Sequence, residues 1–195
     1  KSSNTKIVTV DAKGNVKAVS KGTATITATT KDGSRLSASC TVTVKQPVTK
    51  LTLNKTSLTL MRNKTFALTV TASPSNANNK AVTWKSSNTK AATVDSKGNI
   101  KAVAKGTATI TATAKDGSGV KAVCKVTVTQ PVTKITLNKT SLTLNRGKTF
   151  TLKATAGPAS ANNKAVKWTT SNKAVATVTS KGVVKAVKKG TATIT

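Results

Sequence analysis

The sequence predicts an all-β chain of tandem, two-sheet antiparallel sandwiches, and three observations carry that prediction. Glycines, prolines and tryptophans recur at a fixed interval along the chain. Apolar residues alternate with polar ones instead of following a helical period. Clusters of turn-forming residues separate the alternating runs.

The interval comes first, because internal repetition decides how everything else is read. Gly14, Gly98 and Gly182 are 84 apart, as are Gly22, Gly106 and Gly190, Pro47 and Pro131, and Trp84 and Trp168. Aligning 47–111 with 131–195 gives 46 identities in 65 positions. A repeat beginning at Pro47 makes 47–130 one complete unit. Residues 131–195 are then the N-terminal part of a third unit, and residues 1–46 the C-terminal part of a preceding one. The cuts fall mid-sandwich, so the chain is expected to be a segment of a longer array.

Within the complete unit the strands follow in order. Leu51 and Leu53 flank Thr52, and Leu58 and Leu60 flank Thr59. Phe66, Leu68, Val70 and Ala72 share one face of a further run, followed by Val82 with Trp84 and by Ala92 with Val94. Ala108, Ile110 and Ala112 alternate with threonines, and Ala122, Cys124, Val126 and Val128 form the last run. Turns are expected at 74–79, 95–99 and 116–119, where Pro, Asn, Asp and Gly collect. Short alternating strands at this spacing make a sandwich, each strand showing one face to a core and one to water. The water face is threonine, which keeps β-propensity, and lysine, which discourages edge-to-edge association. The junctions Gln46-Pro47-Val48 and Gln130-Pro131-Val132 are short, and proline fixes φ there, so little bending is expected.

Composition restricts function sharply. Lys plus Arg number 33 against 4 Asp plus Glu, a net charge of +29, and there is no Glu, His or Tyr. The only arginines are Arg35, Arg62 and Arg146, and the only aromatics are Phe66, Phe150, Trp84 and Trp168. High charge with few aromatics is a signature of disorder, but the ordered alternation of apolar residues argues against it. No apolar run approaches a membrane span and nothing resembles a signal peptide, so any targeting segment is expected outside this stretch. Cys40 and Cys124 occupy the same repeat position, one per unit, on the valine face of the last strand. Buried, unpaired thiols are expected there, with an intermolecular disulfide as the alternative.

The stretch AVTWKSSNTKAATVDSKGNIKAVAKGTATITAT (81–113) resembles the bacterial immunoglobulin-like domain, group 2. The resemblance rests on Trp84 to Ser87, Ala92 to Gly98 and Gly106 to Thr111, with the opening strands at 48–60, and it runs in register through the whole chain. It implies an immunoglobulin-like fold, a bacterial or phage surface setting related to intimin and invasin adhesins, and no catalytic residues. The adhesins' receptor-binding tips differ, so the resemblance implies no receptor binding.

Reactive chemistry finds little material. The four acids, Asp11, Asp32, Asp95 and Asp116, each stand beside a turn glycine, and the third unit has Thr179 at the Asp11 position. They are read as Asx-turn residues, not general acids or bases. Without His no nucleophile–base relay forms, and neither zinc nor calcium finds its usual ligand cluster. No acid lies on an apolar strand face, where an intramolecular isopeptide bond needs one. No catalytic, metal-binding or cofactor-binding residue is expected.

The positive charge is the one feature that suggests a partner. Lys13, Lys97 and Lys181, with Lys21, Lys105 and Lys189, recur in each unit and are candidate contacts for anionic cell-surface polymers or glycans. Read plainly, the same lysines are a solvated surface that keeps the protein soluble. Sequence-specific nucleic acid recognition is not expected, because arginine forks and exposed aromatic platforms are both scarce. The tryptophans fall on the apolar pattern and are read as core. The main expectation is therefore a non-catalytic extracellular spacer array. The alternatives are a lysine-rich binding module and a subunit of a surface assembly in which partial units of two copies complete each other.

Overall fold

The computed structural model describes all of residues 1–195 and contains strands and no helix. The first repeat carries β1 (Val8–Val10), β2 (Val16–Ala18), β3 (Gly22–Thr29) and β4 (Ser37–Val44). The middle repeat carries β5 (Lys50–Leu53), β6 (Ser57–Met61), β7 (Thr65–Ala67), β8 (Val70–Ser73), β9 (Val82–Ser86), β10 (Ala92–Val94), β11 (Asn99–Ala102), β12 (Gly106–Ala114) and β13 (Lys121–Thr129). The last repeat carries β14 (Lys134–Leu137), β15 (Thr149–Thr151), β16 (Ala154–Gly157), β17 (Ala176–Val178) and β18 (Val183–Ala186).

In the middle repeat a four-stranded sheet, ordered β6-β13-β12-β9, closes over the three-stranded β10-β11-β7 and the β5–β8 pair. The register puts Ala108 opposite Val126, Ile110 opposite Cys124 and Ala112 opposite both Ala122 and Trp84. Small residues opposite larger ones let the two sheets interdigitate. Ile110, Ala112, Cys124, Val126 and Val128 meet Leu51, Leu68, Ile100 and Ala102 in one core of 16 buried residues.

Two details depart from simple alternation. The run from Phe66 to Ala72 is two strands, not one: β7 pairs with β11 and β8 with β5. Asn54 covers the break, donating from Nδ2 to the Ala67 carbonyl at 3.2 Å and accepting from the Thr69 N–H at 3.0 Å. The inward face survives the change of sheet, and Leu68 is buried between the two strands. The expectation of purely antiparallel pairing is also corrected at one place, because β6 runs parallel to β13. The chain crosses from β8's sheet to β13's at Asn54–Thr56 without reversing, so it meets β13 pointing the same way. The apolar pattern does not name β11 at all, since its inward residues, Ile100 and Ala102, follow a turn directly.

Each flanking repeat reproduces part of this plan. Strands β15, β18 and β17 repeat the three-stranded sheet with Phe150 opposite Val184, where the middle repeat sets Phe66 opposite Ile100. The first repeat keeps the β1–β2 and β3–β4 hairpins.

Candidate functional surfaces

The four aspartates are turn residues. Asp95 accepts from the Lys97 N–H at 2.9 Å, the Asn99 N–H at 2.8 Å and Asn99 Nδ2 at 2.8 Å. Asp11 makes the same three bonds with Lys13 and Asn15. Hydrogen bonds to Asn99 and Asn15, side chain first, hold both carboxyls below the usual aspartate range. Asp32 accepts from the Ser34 hydroxyl at 2.6 Å and its N–H at 3.0 Å, and the hydroxyl leads in holding its carboxyl low.

Asp116 does more than cap its turn. One oxygen takes the Ser118 hydroxyl and N–H, and the other takes the N–H of Val48, 68 residues away. The Ser118 hydroxyl, then the Val48 N–H, hold its carboxyl low. Asp116 thus ties the β12–β13 turn to the first residues of its own repeat. No three His, Cys, Asp or Glu side chains come together as a metal site.

Cys124 is buried on the inner face of β13, and burial pushes its thiol up. Cys40, at the same repeat position, is exposed, which corrects the expectation of two buried thiols. Within this chain no strands equivalent to β5–β8 cover β4. Trp84 is half-buried and packs against the core. It abuts Gly98, where an added Cβ would sit 2.9 Å from Trp84 Cζ2 and 2.4 Å from the Leu68 carbonyl. Gly98 has φ +88°, so the turn that bears Lys97 needs glycine for both conformation and space. Trp168 and Gly182 repeat the arrangement.

All six candidate lysines are exposed. Lys13, Lys97 and Lys181 stand in the turns just before β2, β11 and β18. Lys21 and Lys105 lie at the repeat junctions: Lys21 Nζ donates to the Asn76 carbonyl at 3.1 Å, and Lys105 Nζ to the Ser160 carbonyl at 3.2 Å. Lys189 precedes Gly190 at the equivalent place in the last repeat. The six are not one cluster. They mark corresponding points on successive repeats.

The junctions contain residues that sequence reasoning missed. The Gln46 N–H donates to Asn78 Oδ1 at 2.7 Å, and the Asn78 N–H donates back to the Gln46 carbonyl at 3.0 Å. At the second junction the Gln130 N–H donates to Asn162 Oδ1 at 2.6 Å and the Asn162 N–H returns to the Gln130 carbonyl at 2.9 Å. Each asparagine sits in the turn after Ser73-Pro74 or Gly157-Pro158, both cis. Two backbone-closing bonds and one lysine–carbonyl bond therefore recur at both junctions. The sequence signal is the constant spacing of Gln and Asn, 32 residues in each case.

Comparisons with known proteins identify the repeat. The family model for the bacterial Ig-like domain (group 2) matches residues 1–42, 47–126 and 131–195. An uncharacterized protein of Clostridium acetobutylicum is 44% identical over 147 residues, 75% of this chain and 15% of that protein. An Ig-like virion protein of Serratia phage KSP90 is 33% identical over 153 residues, 76% of this chain and 59% of that protein. The kappa-carrageenase of Pseudoalteromonas carrageenovora is 52% identical over 64 residues, 33% of this chain and 16% of the enzyme. The chain thus spans less than two thirds of each of these relatives. Among solved structures, domains 4 and 5 of the S-layer protein SbsC align at 22% identity with a TM-score of 0.38, over 66% of this chain and 68% of that one. With three matched segments covering nearly all of its residues, the chain belongs to the bacterial Ig-like domain (group 2) family.

Proposed function

We propose that this chain is a non-catalytic, stiff spacer within a protein displayed on a bacterial or phage surface. The observation that carries the reading is the duplicated junction. Gln46 with Asn78 and Lys21 with Asn76 are repeated by Gln130 with Asn162 and Lys105 with Ser160. A connection closed by three hydrogen bonds and entered through proline restricts rotation between repeats far more than a flexible linker does. The virion relative supports a surface setting. The carrageenase matches this chain over only 64 residues, 16% of the enzyme, so its activity is not carried over.

Spin labels placed by Lys31→Cys and Lys181→Cys in a Cys40→Ser chain test the reading. The distance distribution between them is expected to be narrow and to broaden in the Asn78→Ala/Asn162→Ala double variant. A distribution already as broad as that of a glycine-serine linker contradicts it.

A second reading, binding of anionic polymer, has its own observation. All four carboxylates are taken up by N–H and O–H donors, three of them wholly within their turns and Asp116 also by the Val48 N–H, and none is hydrogen-bonded to a lysine ammonium. The net charge of +29 already counts those four carboxylates, so the lysine excess has no counter-charge within the chain.

A further inference from the structure

We infer that the hairpin formed by β10 and β11, with its counterparts in the flanking repeats, is a lysine track for a linear phosphodiester polymer. The inference rests on the polymer-binding reading above and gives it a place and a ligand chemistry.

The track starts from a spacing in the sequence. Lys97, Lys101 and Lys105 follow one another at intervals of four, and the pattern returns from Lys13 and from Lys181. Of the three, Lys101 lies on β11 and points outward, because Ile100 and Ala102 are buried while Asn99 and Lys101 are exposed; Lys97 in the turn before the strand and Lys105 in the bend after it are exposed as well. Lys101 stands on the central strand of its sheet, between Thr93 and Thr65 on the two neighbours. Lys185 stands likewise between Thr177 and Thr149. At one end Gly98 fixes the turn that carries Lys97. At the other, Lys105 touches the Ser160 carbonyl and brings the row to the surface of the next repeat.

Successive lysines are at most about 14 Å apart along the chain. That is close to the screening length at moderate salt, so each row acts as a nearly continuous positive stripe. Asp95 is the only acid in its hairpin, and both its oxygens are bound within the turn. The third row lacks even that charge, since Thr179 replaces the acid.

The chemistry of the row selects the ligand. Ammonium groups read charge density without the bidentate geometry of a guanidinium. The flanking threonine hydroxyls can donate to phosphate oxygens. Both tryptophans are half-buried with one indole edge against the glycine at 98 or 182, so neither offers the freely exposed ring on which a sugar or base stacks best. A polyol-phosphate chain, bearing charge but no ring in its backbone, fits these limits better than a nucleic acid or a sulfated glycan. Three rows on one array add avidity.

The test uses immobilised poly(glycerol phosphate), with heparin and single-stranded DNA as parallel arms. The 195-residue protein is compared with a Lys17→Gln/Lys101→Gln/Lys185→Gln variant and with a charge-matched Lys55→Gln/Lys121→Gln/Lys139→Gln control. All six positions are exposed, and none takes part in a junction bond. At low salt the row variant is expected to bind the glycerol phosphate polymer at least tenfold more weakly, and the control less than threefold. Equal weakening in both variants overturns the track while leaving polymer binding intact. Tighter binding of the parent protein to heparin or DNA overturns the phosphodiester assignment. Failure of the parent protein to bind any of the three polymers at low salt overturns the underlying reading as well.

Discussion

Over the positions they share, the middle and last repeats are much alike, yet only one of them forms the strand that those residues favour. Ser57–Met61 is β6, paired in parallel with β13. Residues 141–145, Ser-Leu-Thr-Leu-Asn, differ only at the final position and are not a strand. Leu142 is exposed there and borders an open groove of about 840 Å³ with Leu137, Leu144, Val184 and Ile194. By contrast, β15, β17 and β18 reproduce the register of β7, β10 and β11 residue for residue. The three-stranded sheet needs only repeat positions that both segments possess. The other sheet needs the final strand, which this chain supplies for the middle repeat alone. Strand formation here follows from pairing and burial, and local propensity alone does not secure it.

Substitution in the core should widen this contrast most. Ile110 is fully buried between β13 and β9, whereas its first-repeat equivalent Ile26 is only half-buried. Ile110→Ala is expected to cost the middle repeat about 3–4 kcal/mol, and Ile26→Ala about 1 kcal/mol or less. Denaturant titration followed by amide protection in β12 and β3 reads both, and equal losses would break the comparison.

The glycines come next. Gly14 and Gly98 share a left-handed φ, but a Cβ at 14 meets nothing within 4 Å, while one at 98 meets the Leu68 carbonyl and Trp84. Gly98→Ala is expected to cost about 2–3 kcal/mol and Gly14→Ala about 1 kcal/mol. Gly182→Ala should behave like Gly98→Ala, because Leu152 and Trp168 stand in the same places.

The fold class, the period and most inward faces were legible in the residues, because alternation such as Thr107-Ala108-Thr109-Ile110 reads the same before and after folding. The positions of the six candidate lysines were legible too, as was the turn role of Asp95. The bonds across the junctions were not. Asn78 is an ordinary turn residue until the preceding repeat brings the Gln46 backbone to it. Likewise, nothing local in Asp116 points to Val48, and nothing in Cys40 shows that its apolar face lacks a covering sheet. What escaped depends on which distant segment is present, and side-chain pattern does not encode that.

Two smaller effects sharpen the same contrast. Cys40 should react with an aromatic disulfide reagent at least about 100-fold faster than Cys124, whose thiol is reached only by local opening. Asp116→Asn should destabilise the middle repeat more than Asp32→Asn destabilises the first, because only Asp116 holds a distant N–H within this chain. Both carboxyls titrate below their unfolded value of 3.8 in the folded protein, so the charged form favours folding. That contribution is full above the unfolded value and is lost as pH falls through the lower folded value. Denaturant titrations of both variants at neutral pH and below about pH 3, on the order of one unit under an ordinary aspartate, should therefore show their difference shrink in acid.

Hydrogen exchange of residues 57–61 against 141–145, with β7 and β15 as internal references, tests the central claim most directly. Amides of 57–61 should be protected and those of 141–145 should exchange almost freely, while 65–67 and 149–151 are protected alike. Equal protection of the two leucine-rich segments would contradict the account.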